Sequence, residues 1–474
     1  MDKEKLRKRA LSYVTIPTGL TPLIEEYAVG EGGKGEAFFS WANEEKDSGI
    51  TLRLDLDGNL TSLSIHKDDH RVHDTVPLDV DERKERAEQF LLKSYPDAFD
   101  HVTFYEMKKR DHAYRFIYEQ LVMDLPLKRS SCFIDVDSYG EIIGFSYKGV
   151  DPTPKIPDVI IAKEKLMEDV QEKLDFHLVI TSLLSSLQNV TESGLRLVYE
   201  IEPSFMRYKA NVLNPTLTIM HDEDIPEITF ALPALPNSTI GDKKVSMEDF
   251  IGIPPNMEVI RETDMGPETG IVWRDKDWEN TTEDLSVCSF FKRQNDGTVK
   301  AMVSKKTGEV RSFIWFKQRE GELHLSREEC FQKALAFLQL QVASYYPYLQ
   351  GIARDAEEDE ARKIESFAFS IQTEAGVRVL SEIVIVAVDC TTGLVNHYSG
   401  PNFDLVELSQ LPSRPLITKE KARDIFLRHL DFELAWDKDL DTEDALLIYR
   451  ACENDARTSI RYIDARTGQV IVDK

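Results

Sequence analysis

The densest gathering of metal-binding groups in the chain is HKDDHRVHD, where His66, Asp68, Asp69, His70, His73 and Asp74 fall within nine residues. Imidazole and carboxylate together suit zinc or another divalent ion, and on a helix His66, His70 and His73 would share one face. These three and Asp69 are the candidate ligands. Such a centre would make the protein a metal-assisted hydrolase. The stretch follows a strand-like run, however, precedes Pro77 and lacks the apolar surroundings that bury a site, so it reads better as a solvated linker.

Other motifs reduce to geometry. Gly30 to Gly35, GEGGKG, has the glycine spacing of a dinucleotide loop, a chemistry that needs a helix opening at the last glycines so that its amides meet a pyrophosphate. EAFFSW follows instead, a strand, and the glycines read as a hairpin loop. Asp55, Asp57 and Asn59 around Gly58, and Asp135 and Asp137 before Gly140, lack the glutamate and flanking helices of a calcium loop; hairpin turns are expected. The sequence holds no G-x-S-x-G elbow, no H-E-x-x-H and no cysteine nucleophile motif, and Cys330 lies on the apolar face of a helix as a structural thiol. With 84 Asp and Glu residues, no neighbouring pair of carboxylates singles itself out as acid and base. No catalytic residue and no cofactor is assigned. Phe39 and Trp41 point to one side of a predicted strand and Phe38 to the other. They are the candidate binding aromatics, with core packing the stronger competing reading.

The elements that must position these groups belong to a long, acidic chain. At 474 residues it exceeds one ordinary core, so two or more domains are expected. A net charge of -26 repels phosphate backbones and anionic lipid, which turns the reading from nucleic acid and membrane surface toward a protein or peptide partner. The basic run at the start is interrupted by Pro17 and followed by Glu25 and Glu26, unlike a signal peptide. No apolar run reaches membrane-spanning length, so no membrane insertion is expected. Five scattered cysteines without a CxxC suit a reducing compartment, and a cytoplasmic location follows as an expectation.

The chain is written twice. Ile16-Pro17 returns as Ile253-Pro254, and the strand-turn-strand around Gly58 returns around Gly308, with FFSWANEEKDSG set against SFFKRQNDG. Ala87, Phe90, Leu91 and Tyr95-Pro96 return as Ala334, Phe337, Leu338 and Tyr346-Pro347. Asp137 and Gly140 answer Asp389 and Gly393, and Leu174-Asp175-Phe176 answers Leu430-Asp431-Phe432. Five phrases in one order, at a spacing of roughly 240 to 255 residues, mark a duplication, with halves 1–235 and 236–474. Capping-box spacing at Asp79/Glu82 and Ser326/Glu329 starts helices, while short apolar runs between Asp-Gly, Tyr-Gly and Thr-Gly turns mark antiparallel hairpins. The expected class is therefore α+β, internally duplicated, with antiparallel sheets and helices packed on one face. The region from Asn214 to Asn256, rich in proline, reads as an irregular end plus linker.

The last stretch, about 416–474, reads as one amphipathic helix carrying Ala422, Ile425, Phe426 and Leu430, then short strands ending in a hairpin at Thr467-Gly468. Its YIDARTGQVI phrase, preceded by ITKEKARDI and ALLIYR, resembles the PepSY module of metalloprotease propeptides and of a cortex-lytic accessory protein. The tandem arrangement over most of the chain resembles the YcdB/YcdC-type repeat proteins of spore-forming bacteria. That resemblance implies PepSY-like modules, peptidase inhibition or protein contact, and no catalytic residues. The leading expectation is a non-enzymatic protein-interaction or regulatory protein that adds a peptide as a strand to a sheet edge. The alternatives are the metal-assisted hydrolase and a structural spacer or self-associating scaffold.

Overall fold

Two helices begin with the same reciprocal cap. Asp79 accepts from the Glu82 amide while Glu82 accepts from the Asp79 amide, both at 2.9 Å, and Ser326 and Glu329 repeat the exchange. Each satisfies two of the donors that a helix start leaves unpaired. The computed structural model describes residues 2–29, 35–66, 76–127, 132–204, 206–212, 228–234, 246–280, 283–353, 362–412, 414–438 and 444–474.

The first repeat opens with helix α1 (Lys3–Tyr13) and the strands β1 (Thr21–Val29), β2 (Gly35–Ala42), β3 (Gly49–Asp55) and β4 (Leu60–His66). Helix α2 (Val80–Ser94) leads to β5 (Thr103–Lys109) and β6 (Ala113–Glu119). The small hairpin β7 (Leu121–Val122) and β8 (Leu125–Pro126) precedes β9 (Cys132–Asp137) and β10 (Ile142–Tyr147). A helix-and-hairpin module follows: α3 (Lys163–Lys173), β11 (Asp175–Leu183), β12 (Gly194–Glu202) and β13 (Arg207–Lys209). Strand β14 (Thr229–Ala231) comes next.

The second repeat runs through α4 (Met247–Ile251), β15 (Met257–Asp264), β16 (Glu268–Asp275), α5 (Val287–Asn295), β17 (Thr298–Ser304) and β18 (Val310–Trp315). It continues with α6 (Arg327–Gln341), β19 (Leu349–Ile352), β20 (Ile364–Gln372), β21 (Arg378–Asp389) and β22 (Val395–Ser399). After α7 (Leu405–Gln410) the second module is α8 (Lys419–His429), β23 (Leu430–Lys438), β24 (Ala445–Glu453), β25 (Ile460–Asp464) and β26 (Val470–Val472).

Strand order shows the duplication directly. The first sheet is β1-β2-β3-β4-β10-β9-β6-β5, and the second contains β15-β16-β17-β18-β22-β21-β20-β19, with every neighbouring pair in both series antiparallel. Even single bonds recur: the Leu78 amide donates to Ser138 O at 2.8 Å, and the Leu325 amide to Cys390 O at 3.0 Å. Helix α2 buries Ala87 and Leu91 against β6 and β9, and α6 packs on β20, β21 and β22, so each repeat is a helix layer over an antiparallel sheet. One phrase match is corrected. The sequence sets Phe290-Phe291 against the β2 strand, yet they lie in α5, whose start is capped by Ser286 accepting from the Ser289 amide; the counterpart of β2 is β16.

The two modules exchange strands. β25 and β26 of the second extend the β11-β12 hairpin of the first, while β13 of the first pairs with β24 of the second. The supporting bonds are reciprocal. Tyr199 Oη donates to Ile417 O at 2.8 Å and Tyr449 Oη to Ile161 O at 2.6 Å; the Ala465 amide donates to Leu197 O and the Ala210 amide to Leu447 O, both at 3.0 Å. Lys163 pairs with Asp431 at 2.7 Å and Lys419 with Asp175. Strand pairing thus crosses residue 235, because β11 and β12 join the second repeat's sheet at β21. One core lies within the first repeat around Phe39, Leu52, Phe116 and Phe145, and a larger one runs through the second repeat and both modules.

Candidate functional site

The aspartates at the turns act on their own backbone. Asp55 Oδ1 accepts from the amides of Asp57 and Asn59, Asp137 Oδ1 from Tyr139 and Glu141, Asp389 Oδ1 from Thr391 and Thr392, and Asp464 Oδ1 from Arg466 and Thr467. These oxygens close the hairpins in the way Asx turns do.

Phe39 and Trp41 are core residues, 1% and 8% exposed, with rings stacked at 5.9 Å. Phe39 also meets the Tyr27 ring edge-on at 5.7 Å, and Phe39 and Trp41 both belong to the first repeat's core. Phe38 does point the other way, beneath the Arg53 guanidinium. Of the proposed metal ligands, His66 is the exposed last residue of β4, while Asp69, His70 and His73 lie outside the described residues. Among the described residues no group of three or more His, Cys, Asp or Glu side chains is placed to hold a metal ion. No helix among them is long and apolar enough to cross a membrane.

All five cysteines are free. Cys132, Cys330, Cys390 and Cys452 are buried, and burial pushes the Cys132 and Cys330 thiols up to about 12, far from the thiolate that reacts. Cys288 on α5 is exposed. Native protein mixed with an aromatic disulfide reagent will therefore show one fast thiol of the five, the other four appearing only in denaturant.

Among the described residues, concavities lie around the modules. One of about 90 Å³ between β13, α8 and β24 is lined by Arg207, Arg450 and Arg461, each of which is engaged by a carboxylate: Asp437, Glu433 and Asp473. It is an ion-paired seam. Another, about 230 Å³ and wide open, lies beside Lys155, Asp158 and Asn211.

The edges of the two repeat sheets are more informative. In the first repeat, β1 is covered from the second: the Glu25 amide donates to Leu285 O at 2.9 Å, and the Val287 amide to Glu26 Oε2 at 3.1 Å. In the second, β19 is covered by β14, with Phe230 opposite Gly351. A Cβ at Gly351 would collide with the Phe230 ring, which lies 6.0 Å from Phe331 of α6. The remaining edges, β5 and β15, end their sheets, and no strand among the described residues pairs with their outer sides.

β5 is the counterpart of β19. Where β19 has Gly351 and borrows Phe230, β5 carries its own Phe104, whose ring sits 4.0 Å from Lys84 of α2, the position that Phe331 takes on α6. Phe104, Tyr105 and Met107 are 38%, 47% and 42% exposed, and Lys108, Lys109 and Arg110 close the strand. Lys108 is paired with Glu106 at 2.9 Å. Sequence reasoning named edge recognition in general and missed this edge, because no local pattern says which strand ends a sheet.

A family model described as the YcdB, YcdC repeated domain matches residues 3–149 and again 241–402, the two segments that form the matched strand series. Uncharacterized protein YcdB of Bacillus subtilis (strain 168) is 28% identical over 480 residues, covering 99% of this chain and 98% of its own. Uncharacterized protein YcdC of the same organism is 29% identical over 448 residues, covering 93% of each. The Bacillus megaterium YpeB C-terminal domain aligns with 48% of this chain and 93% of its own, at 19% identity and a TM-score of 0.25, a level that carries no structural argument. Two family matches in tandem, over segments of equal strand order, settle the lineage: the chain belongs to the YcdB, YcdC repeated-domain family.

Proposed function

We propose that this protein is a non-enzymatic recognition protein that takes an extended, acidic segment of a partner protein as an added strand on the outer edge of β5. The carrying observation is β14 on β19: the corresponding edge of the second repeat already accepts an extended segment of the chain itself. An open edge offers a row of main-chain donors and acceptors, and side chains at alternate positions select what pairs with it. Lys108, Lys109 and Arg110 against Glu106 leave the end of this strand basic in a chain of net charge -26. Like charges discourage two β5 edges from pairing with each other and favour a strand bearing carboxylates. In this reading residues 1–235 and 236–474 descend from one unit whose edge is self-occupied in one copy and available in the other. Its five free cysteines suit the cytoplasmic setting that belongs to the same proposal.

An octapeptide alternating valine with glutamate tests it. Fluorescence anisotropy should give saturable binding, weaker by roughly tenfold for the lysine-for-glutamate peptide, with the preference reversed in a Lys108→Glu/Lys109→Glu variant. Hydrogen exchange should slow at β5 amides on binding. Absence of saturable binding, or indifference to the charge reversal, would sink the proposal.

A further inference from the structure

A separate feature lies where the repeats meet, at the covered β1 edge and away from β5. Cross-strand register puts Arg261 and Lys300 on either side of Val272, in one row over β15, β16 and β17. Arg274, two residues along β16, shares that face, because alternate strand residues point the same way. Helix α5 packs beside β17 and brings Arg293, whose carbonyl oxygen accepts from Arg274 Nη2 at 2.7 Å. The β2–β3 turn of the first repeat adds Lys46, its ammonium 5.4 Å from the Phe290 ring centre on α5. Five cations from five segments converge on one junction of an acidic protein.

Carboxylates among the described residues stand near them without forming ion pairs. Glu258 stands opposite Arg274 across the strand pair, Asp296 lies beside Arg274 and Asp284 beside Arg293. The direct contacts are neutral: Lys300 donates to Asn295 Oδ1 at 2.6 Å, Arg293 to Ser289 Oγ at 3.0 Å, and the Arg274 guanidinium rests 4.0 Å from the Trp278 ring centre. Arg274 Nε is buried with no hydrogen-bond partner. No ion pair ties any of the five to a carboxylate among the described residues. Burial, then the neighbouring guanidinium groups, holds the Lys46 and Lys300 ammonium groups below their usual range.

Like charges held this close repel at a cost to folding, and a multiply charged oxyanion reverses the sign of that interaction. Guanidinium forks suit phosphoryl oxygens, and lysines add point charge. We propose that this junction binds a small phosphate-class anion through Lys46, Arg261, Arg274 and Lys300, with Arg293 behind them, and that occupancy fastens the first repeat to the second. Lys46 is the only one of the five that comes from the first repeat, so the fastening runs through it.

Inorganic pyrophosphate titrated calorimetrically into the full-length protein, at ionic strength fixed with sodium chloride, is expected to bind saturably at one site and to raise the Tm beyond what sodium chloride does. Lys46→Gln and Arg261→Gln, neither a core residue, should each weaken binding by roughly tenfold, as loss of one charge contact does. Arg53→Gln, whose native partner is Glu36 at 3.1 Å, should leave binding unchanged. Flotation with phosphatidylglycerol vesicles that is lost in the same two variants would place the phosphate on a lipid headgroup; pyrophosphate binding without flotation would place it on a soluble molecule. Absence of saturable binding in both arms, or binding unaltered in both variants, overturns the site.

Discussion

Phe426→Ala will lower the stability of the full-length protein by about 3–5 kcal/mol, the loss expected when a fully buried phenylalanine is truncated. Phe426 is 0% exposed on α8, and its ring meets Phe176 of β11 at 5.7 Å. The contact joins the second module's helix to the first module's hairpin, so the cavity opens at the centre of the exchange. Packing on both sides is fixed by paired strands, so the site relaxes only in part. Urea unfolding followed by far-UV circular dichroism gives the number. A loss under about 1 kcal/mol would mean that the modules do not depend on this contact.

Glu119→Gln will stabilise the protein at pH 8 and leave it nearly unchanged at pH 4. The Glu119 side chain at the end of β6 is buried, its Oε2 has no hydrogen-bond partner, and burial, with a smaller contribution from Glu106, pushes its carboxyl up to about 7 from the ordinary 4.5. A carboxyl raised on folding binds its proton more tightly in the native state than in the unfolded chain. Its penalty is therefore absent below pH 4.5, grows as pH rises toward 7, and is complete above it, at about 3 kcal/mol. The difference in unfolding free energy between variant and wild type, measured from pH 4 to 8, should climb through that window and then level. A flat difference would show that Glu119 is ionised or solvated throughout.

Much of this fold was legible because the signals were local. Asp79 and Ser326 announced their helices through side chains that bond three residues on, and Gly58, Gly308, Gly393 and Gly468 announced turns that need positive φ, which all four adopt. The repeated phrases gave the duplication, since the same side chains must fill the same sheet-helix layer twice. What stayed hidden was long-range. Nothing in ITFA says that Phe230 will cover Gly351, more than a hundred residues away, and nothing in the final helix says that α8 will lie over β11. The Phe290-Phe291 match misled because apolar identity does not distinguish a strand face from a capped helix turn. At the junction site, Lys46 and Arg261 stand far apart in sequence and meet only because the β1 edge is covered from the other repeat.

The crossed strands of the two modules carry an implication for ancestry. A half-length forebear with one such module would have left its hairpin short of a neighbour and its last strand unmated, and two identical chains trading that strand would have cured both defects. Joining them in one polypeptide turns a concentration-dependent encounter into an internal one, at an effective concentration on the order of millimolar. Separately expressed halves should accordingly find each other, or their own kind, before they stand alone.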